Sequence, residues 1–210
     1  MIPFTSISGP CVHMLEDDLN TDQIAPIQMS RELKPDYADL LFKRQRMNPD
    51  GSRNSAHILE QPQYARPAIL LSRHNFGCGS SREAAVWCLT AVGIRCIVAR
   101  SIADIFRENC LQNGVLPVEL DDQTAAALEA RVLAADGKAP FTADLPTQTI
   151  SGPGGPDIRF EIAASDKMRL IEGLDDIGVS LKHEADIKAW EAKAAQRLPW
   201  LQAARDRRRG

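Results

Sequence analysis

Between residues 68 and 135, short apolar runs alternate with stretches of helical spacing. Residues 68–72 (AILLS), 96–99 and 115–120 are compact apolar runs suited to buried strands. Residues 80–92, 101–109 and the alanine-rich 121–135 carry helical patterns, with Gly114 and Gly137 where helices should end. Strands alternating with helices in this order predict an α/β layer with parallel pairing. Ahead of it, apolar pieces at 2–7 and 11–15 predict a hairpin leading into LNTDQIAP, and the polar stretch 43–67 predicts a long surface loop. Beyond Pro140, two β-like runs at 147–151 and 158–162 flank the turn SGPGGPD, and 165–173 is a helix. A last helix at 183–197 places Ile187, Trp190 and Ala194 on one stripe, with Leu198 and Trp200 beyond it, and that stripe is expected to be internal packing. The expected division is a domain over residues 1–165 and a C-terminal helical extension over 166–210.

Composition narrows the class of protein. A chain of 210 residues holds one domain with a real core, and 44% hydrophobic with 25% charged residues is ordinary for a soluble protein. The formal net charge of -3 gives no global reason to expect nucleic acid, and the basic run at 205–209 reads as a solvated tail. No apolar stretch is long enough to span a bilayer, and MIPFTSISGP is not a secretory signal. Five scattered cysteines (Cys11, Cys78, Cys88, Cys96, Cys110) and no C-x-x-C imply reduced thiols that hold no metal, and a cytoplasmic protein.

The candidate chemistry lies in NFGCGSSRE, residues 75–83. Here a buried strand runs into two glycines and then two serines that open a helix. Glycines let the backbone approach a ligand, and a helix N-terminus offers unpaired N–H groups and a positive dipole end. Arg82 adds a planar fork suited to a carboxylate. The plainer reading is a capping box, in which Ser80 bonds an N–H three residues on and Glu83 reaches back. Against the cap alone stand the extra glycines, and an arginine in the first turn, which opposes the helix dipole unless an anion neutralises it. A P-loop would need a lysine before its serine. The dinucleotide fingerprint is broken at Arg82, and no G-x-S-x-G occurs. Cys78 as a nucleophile lacks a histidine at a telling position.

NFGCGSSRE and the following VARSIADIFRENCLQNGVLPV, with LNTDQIAP, YARPAILL and DDIGVSLKHEADIKAWE, resemble the small subunit of 3-isopropylmalate dehydratase and, more distantly, the swivelling domain of aconitase. The resemblance runs from about residue 20 to 200. It implies a β/β/α swivelling domain with a mainly parallel sheet flanked by helices, acting as a hydro-lyase only with a large subunit. That partner would carry a four-iron four-sulfur cluster through three cysteines of its own. By the same resemblance Ser80 is the catalytic base and Asp22 a catalytic neighbour close to it. Gly79, Ser81 and Arg82 bind the substrate carboxylate, and Met29, Ser30 and Arg31 lie over the substrate's variable end. The substrate implied is isopropylmalate, interconverted between its 2- and 3-isomers in leucine biosynthesis.

The physics of the residues agrees with those roles. A serine hydroxyl is too weak an acid to act as a base unless positive potential stabilises its alkoxide, which a helix N-terminus and an arginine can supply. The sequence departs from the family pattern at Ser30, where an apolar residue is usual, at residues 35–39 and Gln45, and at Ala84 and Val86, which replace a histidine and a proline. These bear on substrate choice or on docking to the large subunit, so another substituted malate (citramalate, dimethylmalate or homocitrate) stays open as substrate. A non-catalytic small-anion-binding module and a subunit with a decayed site are the other readings.

Overall fold

Strands β1 (Ser6–Gly9) and β2 (Cys11–Met14) are separated by Pro10 alone, yet they belong to different sheets. The predicted hairpin is therefore not formed. A hairpin needs at least a two-residue turn, and one proline cannot reverse the chain. Instead the Pro10 carbonyl accepts from the Ala68 N–H at 3.0 Å, and Gly9 passes so close to Ala68 that an added Cβ would lie 2.9 Å from that residue's Cβ. The chain bends out of one sheet and enters the next.

The computed structural model describes residues 1–30, 35–198 and 200. They fall into two compact units, Met1–Gly173 and Leu174–Gly210. In the first unit β2 is followed by the short helices α1 (Thr21–Ile24), α2 (Tyr37–Leu40) and α3 (Lys43–Arg46). Then come β3 (Ile69–Ser72), α4 (Glu83–Ala91), β4 (Cys96–Ala99), α5 (Asp104–Gln112), β5 (Leu116–Glu119) and α6 (Asp122–Ala135). Strands β2-β3-β4-β5 form a parallel sheet in that order, with Ile69 opposite both Cys11 and Cys96. The unit closes with β6 (Phe141–Asp144), β7 (Thr149–Ser151), β8 (Ile158–Arg159) and α7 (Ala164–Glu172). Strands β1-β6-β7-β8 make a second, antiparallel sheet.

All four residues of β3 and of β4 are buried, which is why both read as unbroken apolar runs. Their side chains alternate between two cores. Leu70, Ile97 and Ala99 pack with Val86, Leu89 and Phe106 from α4 and α5. Ile69, Leu71, Cys96 and Val98 pack with Leu128 and Val132 of α6, Phe141 and Ile150 of the antiparallel sheet, and Leu170 of α7. The parallel sheet thus lies between the antiparallel sheet, with α6 and α7, on one face and α4 and α5 on the other.

Three local expectations need correction. The stretch 43–67 is not a free surface loop: it contains α3 and two 3-10 turns, Ile58–Glu60 and Pro62–Tyr64. Arg46, almost fully buried, organises it by donating to Glu60 (2.6 Å) and to the carbonyls of Ala38 (2.8 Å) and Leu41 (2.9 Å). The helix expected from residue 101 begins at Asp104, because residues 101–103 are occupied in binding the site loop, as set out below. The second unit contains α8 (Asp176–Leu181), capped by Asp175, and α9 (Glu184–Arg197). None of its described residues is buried. The stripe assigned to internal packing is exposed instead, Ile187 by 43% and Trp190 by 68%, as is Trp200 by 64%. Two short helices offer no second layer on which such a stripe could pack.

Candidate active site

Two loops far apart in sequence are laced together beyond the carboxyl ends of β2 and β3. One runs from Glu16 through α1, and the other from Arg73 to Arg82. Asp18 and Asn75 both adopt left-handed backbone, φ 56° each, and Asn75 Nδ2 donates to Asp18 Oδ1 at 2.6 Å. The Asp18 N–H donates to the His74 carbonyl (3.0 Å), Gly77 N–H to Leu19 O (2.7 Å) and Thr21 N–H to Cys78 O (2.9 Å). From the other side, Phe76 N–H donates to Ser101 O (3.0 Å), Asn75 N–H to Ser101 Oγ (2.8 Å) and Ala103 N–H to Phe76 O (2.9 Å). The motif loop is therefore clamped between the residues after β2 and those after β4.

Gly77 and Gly79 serve different ends. Both have positive φ, 78° and 92°. A Cβ on Gly77 would lie 2.2 Å from the Phe106 ring, so this glycine permits packing against α5 rather than the approach of a ligand. The atoms nearest to a Cβ on Gly79 would be those of Asn20 and Thr21, at 3.4 Å and beyond. Gly77→Ala is expected to destabilise the chain by about 3 kcal/mol, combining left-handed strain with overpacking. Thermal or urea unfolding of the variant measures this, and a change below about 1 kcal/mol would show that the Phe106 contact relaxes freely.

The capping box is realised elsewhere than expected. Helix α4 begins at Glu83, three residues after Ser80, and its N-cap is Arg82, which makes no side-chain cap bond. Glu83 does not reach back; it accepts from Asn113 Nδ2 at 3.0 Å. The box belongs to α1, where the Asn20 side chain accepts from Gln23 N–H (2.9 Å) and Gln23 Oε1 accepts from Asn20 N–H (3.0 Å). The N-T-D-Q string carries that signal, with asparagine in the serine position.

Arg82 and Asp22 form an ion pair through Nη1 of the guanidinium. The anion that an arginine at a helix N-terminus requires is thus present in the protein itself. Nε and Nη2, the side of the fork that remains, make no bond among the described residues, and the side chain is partly exposed. Ser80 and Ser81 are exposed. The one hydrogen bond of Ser80 among the described residues is made by its carbonyl, which accepts from Thr21 Oγ1 at 2.8 Å. Asp22, Gly79, Ser80, Ser81 and Arg82 therefore come together at the mouth of α4.

Met29 and Ser30 border a separate hollow of about 210 Å³ with Pro35, Asp36, Asp39, Leu40 and Lys43, whose walls include no residue of the motif loop. Arg31 lies outside the described residues. The five cysteines are free. Burial pushes the Cys88 thiol up to about 12 and those of Cys11, Cys96 and Cys110 up as well. At Cys78, desolvation and then the nearby Asp18 also raise the thiol, the opposite of what a thiolate nucleophile requires.

Comparison with known proteins gives the site its context. The family model of the aconitase C-terminal domain matches residues 1–123, which include every candidate site residue. A second family model, the C-terminal domain of the 3-isopropylmalate dehydratase small subunit, matches residues 176–204. A 3-isopropylmalate dehydratase small subunit of Dinoroseobacter shibae is 43% identical over 202 residues, covering 96% of this chain and 100% of its own. The chain belongs to the 3-isopropylmalate dehydratase small-subunit family. Another member, from Rhodopseudomonas palustris, is 42% identical over 203 residues, covering 95% of this chain and 100% of its own. The crystal structure of a 3-isopropylmalate dehydratase chain from Methanocaldococcus jannaschii shares the fold, with a TM-score of 0.59 over 89% of this chain and 99% of that one, at 22% identity.

Proposed function

We propose that this chain is the small subunit of a hydro-lyase that interconverts 2- and 3-isopropylmalate by dehydration and rehydration in leucine biosynthesis, in the cytoplasm, with a large subunit as its partner. The observation that carries the reading is the convergence of Ser80, Arg82 and Asp22, from segments about 60 residues apart, within a chain that matches this family over nearly its whole length.

Each residue has a distinct task. Arg82, its Nη1 fixed by Asp22, presents Nε and Nη2 to one substrate carboxylate as a paired donor. The Ser81 hydroxyl and the Gly79 backbone complete that anion site. Ser80 takes the proton from the carbon beside the departing hydroxyl, its alkoxide stabilised by the guanidinium and by the free N–H groups that open α4. Asp22 orients Arg82 and keeps its charge beside the serine rather than in solvent. Met29, Ser30 and Arg31 are assigned to the variable end of the substrate by family resemblance alone. There the hydroxyl of Ser30 leaves more room and polarity than an alkyl side chain would.

The residues present do not fit a four-iron four-sulfur cluster. Among the described residues no three His, Cys, Asp or Glu side chains converge as metal ligands, and four of the five cysteines are buried. The cluster is assigned to the large subunit. The reading is tested by expressing the chain with and without a family large subunit and assaying conversion of 2-isopropylmalate. Activity is expected only from the complex. A complex that assembles, holds its cluster and converts neither isopropylmalate nor another substituted malate would overturn the reading.

A further inference from the structure

Thr21 is buried, 1% exposed, at the first position of α1. Its backbone N–H and its side chain act on the same strand of chain in succession. The N–H donates to Cys78 O (2.9 Å) and Oγ1 donates to Ser80 O (2.8 Å). Between these two points Gly79 turns through left-handed backbone, with Thr21 Oγ1 lying 3.7 Å from where its Cβ would be. Beyond Ser80 the next tie is the Arg82 side chain on Asp22, the residue adjacent to Thr21. Ser80 and Ser81 make no other hydrogen bond among the described residues, so the threonine hydroxyl is the fixed point of the main chain that carries the proposed base. Without it, three peptide planes could turn between Gly79 and Arg82, and the Ser80 hydroxyl would sweep away from the guanidinium.

We infer that Thr21 is a positioning residue: its buried hydroxyl grips the Ser80 carbonyl and so sets the direction of the Ser80 hydroxyl, while Asp22 beside it sets the direction of Arg82. One turn of helix thereby aligns both halves of the site from behind. The inference rests on Ser80 being the base. A displacement on the order of 1 Å at a reacting group costs about a hundredfold in rate. Because the Ser80 carbonyl is near the surface, water can replace the lost donor, so the effect falls on alignment more than on stability.

The test uses the complex of this chain with its large subunit. Thr21→Val keeps shape and removes the donor, and Thr21→Ser keeps the donor. Thr21→Val is expected to lower kcat about 30-fold with KM nearly unchanged, and Thr21→Ser to stay within about threefold of the parent. Each variant is also combined with Ser80→Ala. If the threonine acts through the serine, Thr21→Val costs nothing further in that background. The inference is overturned if Thr21→Val leaves kcat intact while Ser80→Ala abolishes it, if Thr21→Ser fails equally, or if the loss recurs in full on Ser80→Ala. Retention of activity by Ser80→Ala itself would instead overturn the base on which the inference rests. Should Thr21→Val not fold, Thr21→Ala judged against Thr21→Ser by the same kcat and KM readings takes its place.

Discussion

Ser80→Ala in the assembled enzyme lowers kcat by about a thousandfold and leaves KM within about threefold, the range expected for removal of a general base. The structure makes this substitution unusually clean. Ser80 is exposed, so loss of its hydroxyl opens no cavity. The bond that holds the residue uses its carbonyl, which alanine keeps. Unfolding temperature and association with the partner should therefore match the parent, and the loss should appear in turnover alone. A rise in KM with kcat preserved would make Ser80 a binding group, and the base would have to be sought elsewhere.

Arg82→Lys gives a different signature. Lysine keeps the positive charge and can still meet Asp22, but a single ammonium cannot present two parallel donors to a carboxylate. The expected result is a fall in kcat/KM of about a hundredfold with KM raised at least about tenfold, the scale of losing one charge-assisted hydrogen bond. Steady-state assays of both isomers, with equilibrium binding of a dicarboxylate competitor, separate the two contributions. Unchanged competitor affinity would show that Arg82 serves only to neutralise Asp22 at the head of α4.

The legible parts of the fold are those in which burial alone dictates pattern. Residues 69–72 and 96–99 are covered on both faces, so they stand out as unbroken apolar runs wherever the chain is read. Strand β6 does not stand out, because its residues are alternately buried and half-buried, too weak a rhythm over four residues to separate from a loop. The false hairpin at β1 and β2 has another cause. Apolar runs say that a segment is a strand, not which sheet it joins, and the partner of β1 lies beyond residue 140. The sequence misplaces the start of α4 because Ser-Ser-Arg-Glu satisfies a local capping rule. In the folded chain, long-range bonds to Thr21 and Asp22 engage Ser80 and Arg82 instead. At the site, the anion-binding character of the glycine–serine–arginine string follows from physical chemistry. The pairing of Asp22 with that string comes only through family resemblance, since no local pattern links residues so far apart.

The bend at Pro10 has a consequence for how the chain is made. Strand β1 leaves the ribosome well ahead of β6, since Ser8 meets its hydrogen-bonding partner Thr142 across 134 residues. At roughly 5–20 residues per second, that partner follows about 7–27 seconds later. Strand β2, on the far side of the same proline, finds β3 much sooner. The parallel sheet can thus assemble while synthesis continues, whereas β1 waits, unpaired, until residues 141–144 emerge. Though translated before β2, β1 finds its neighbour after it.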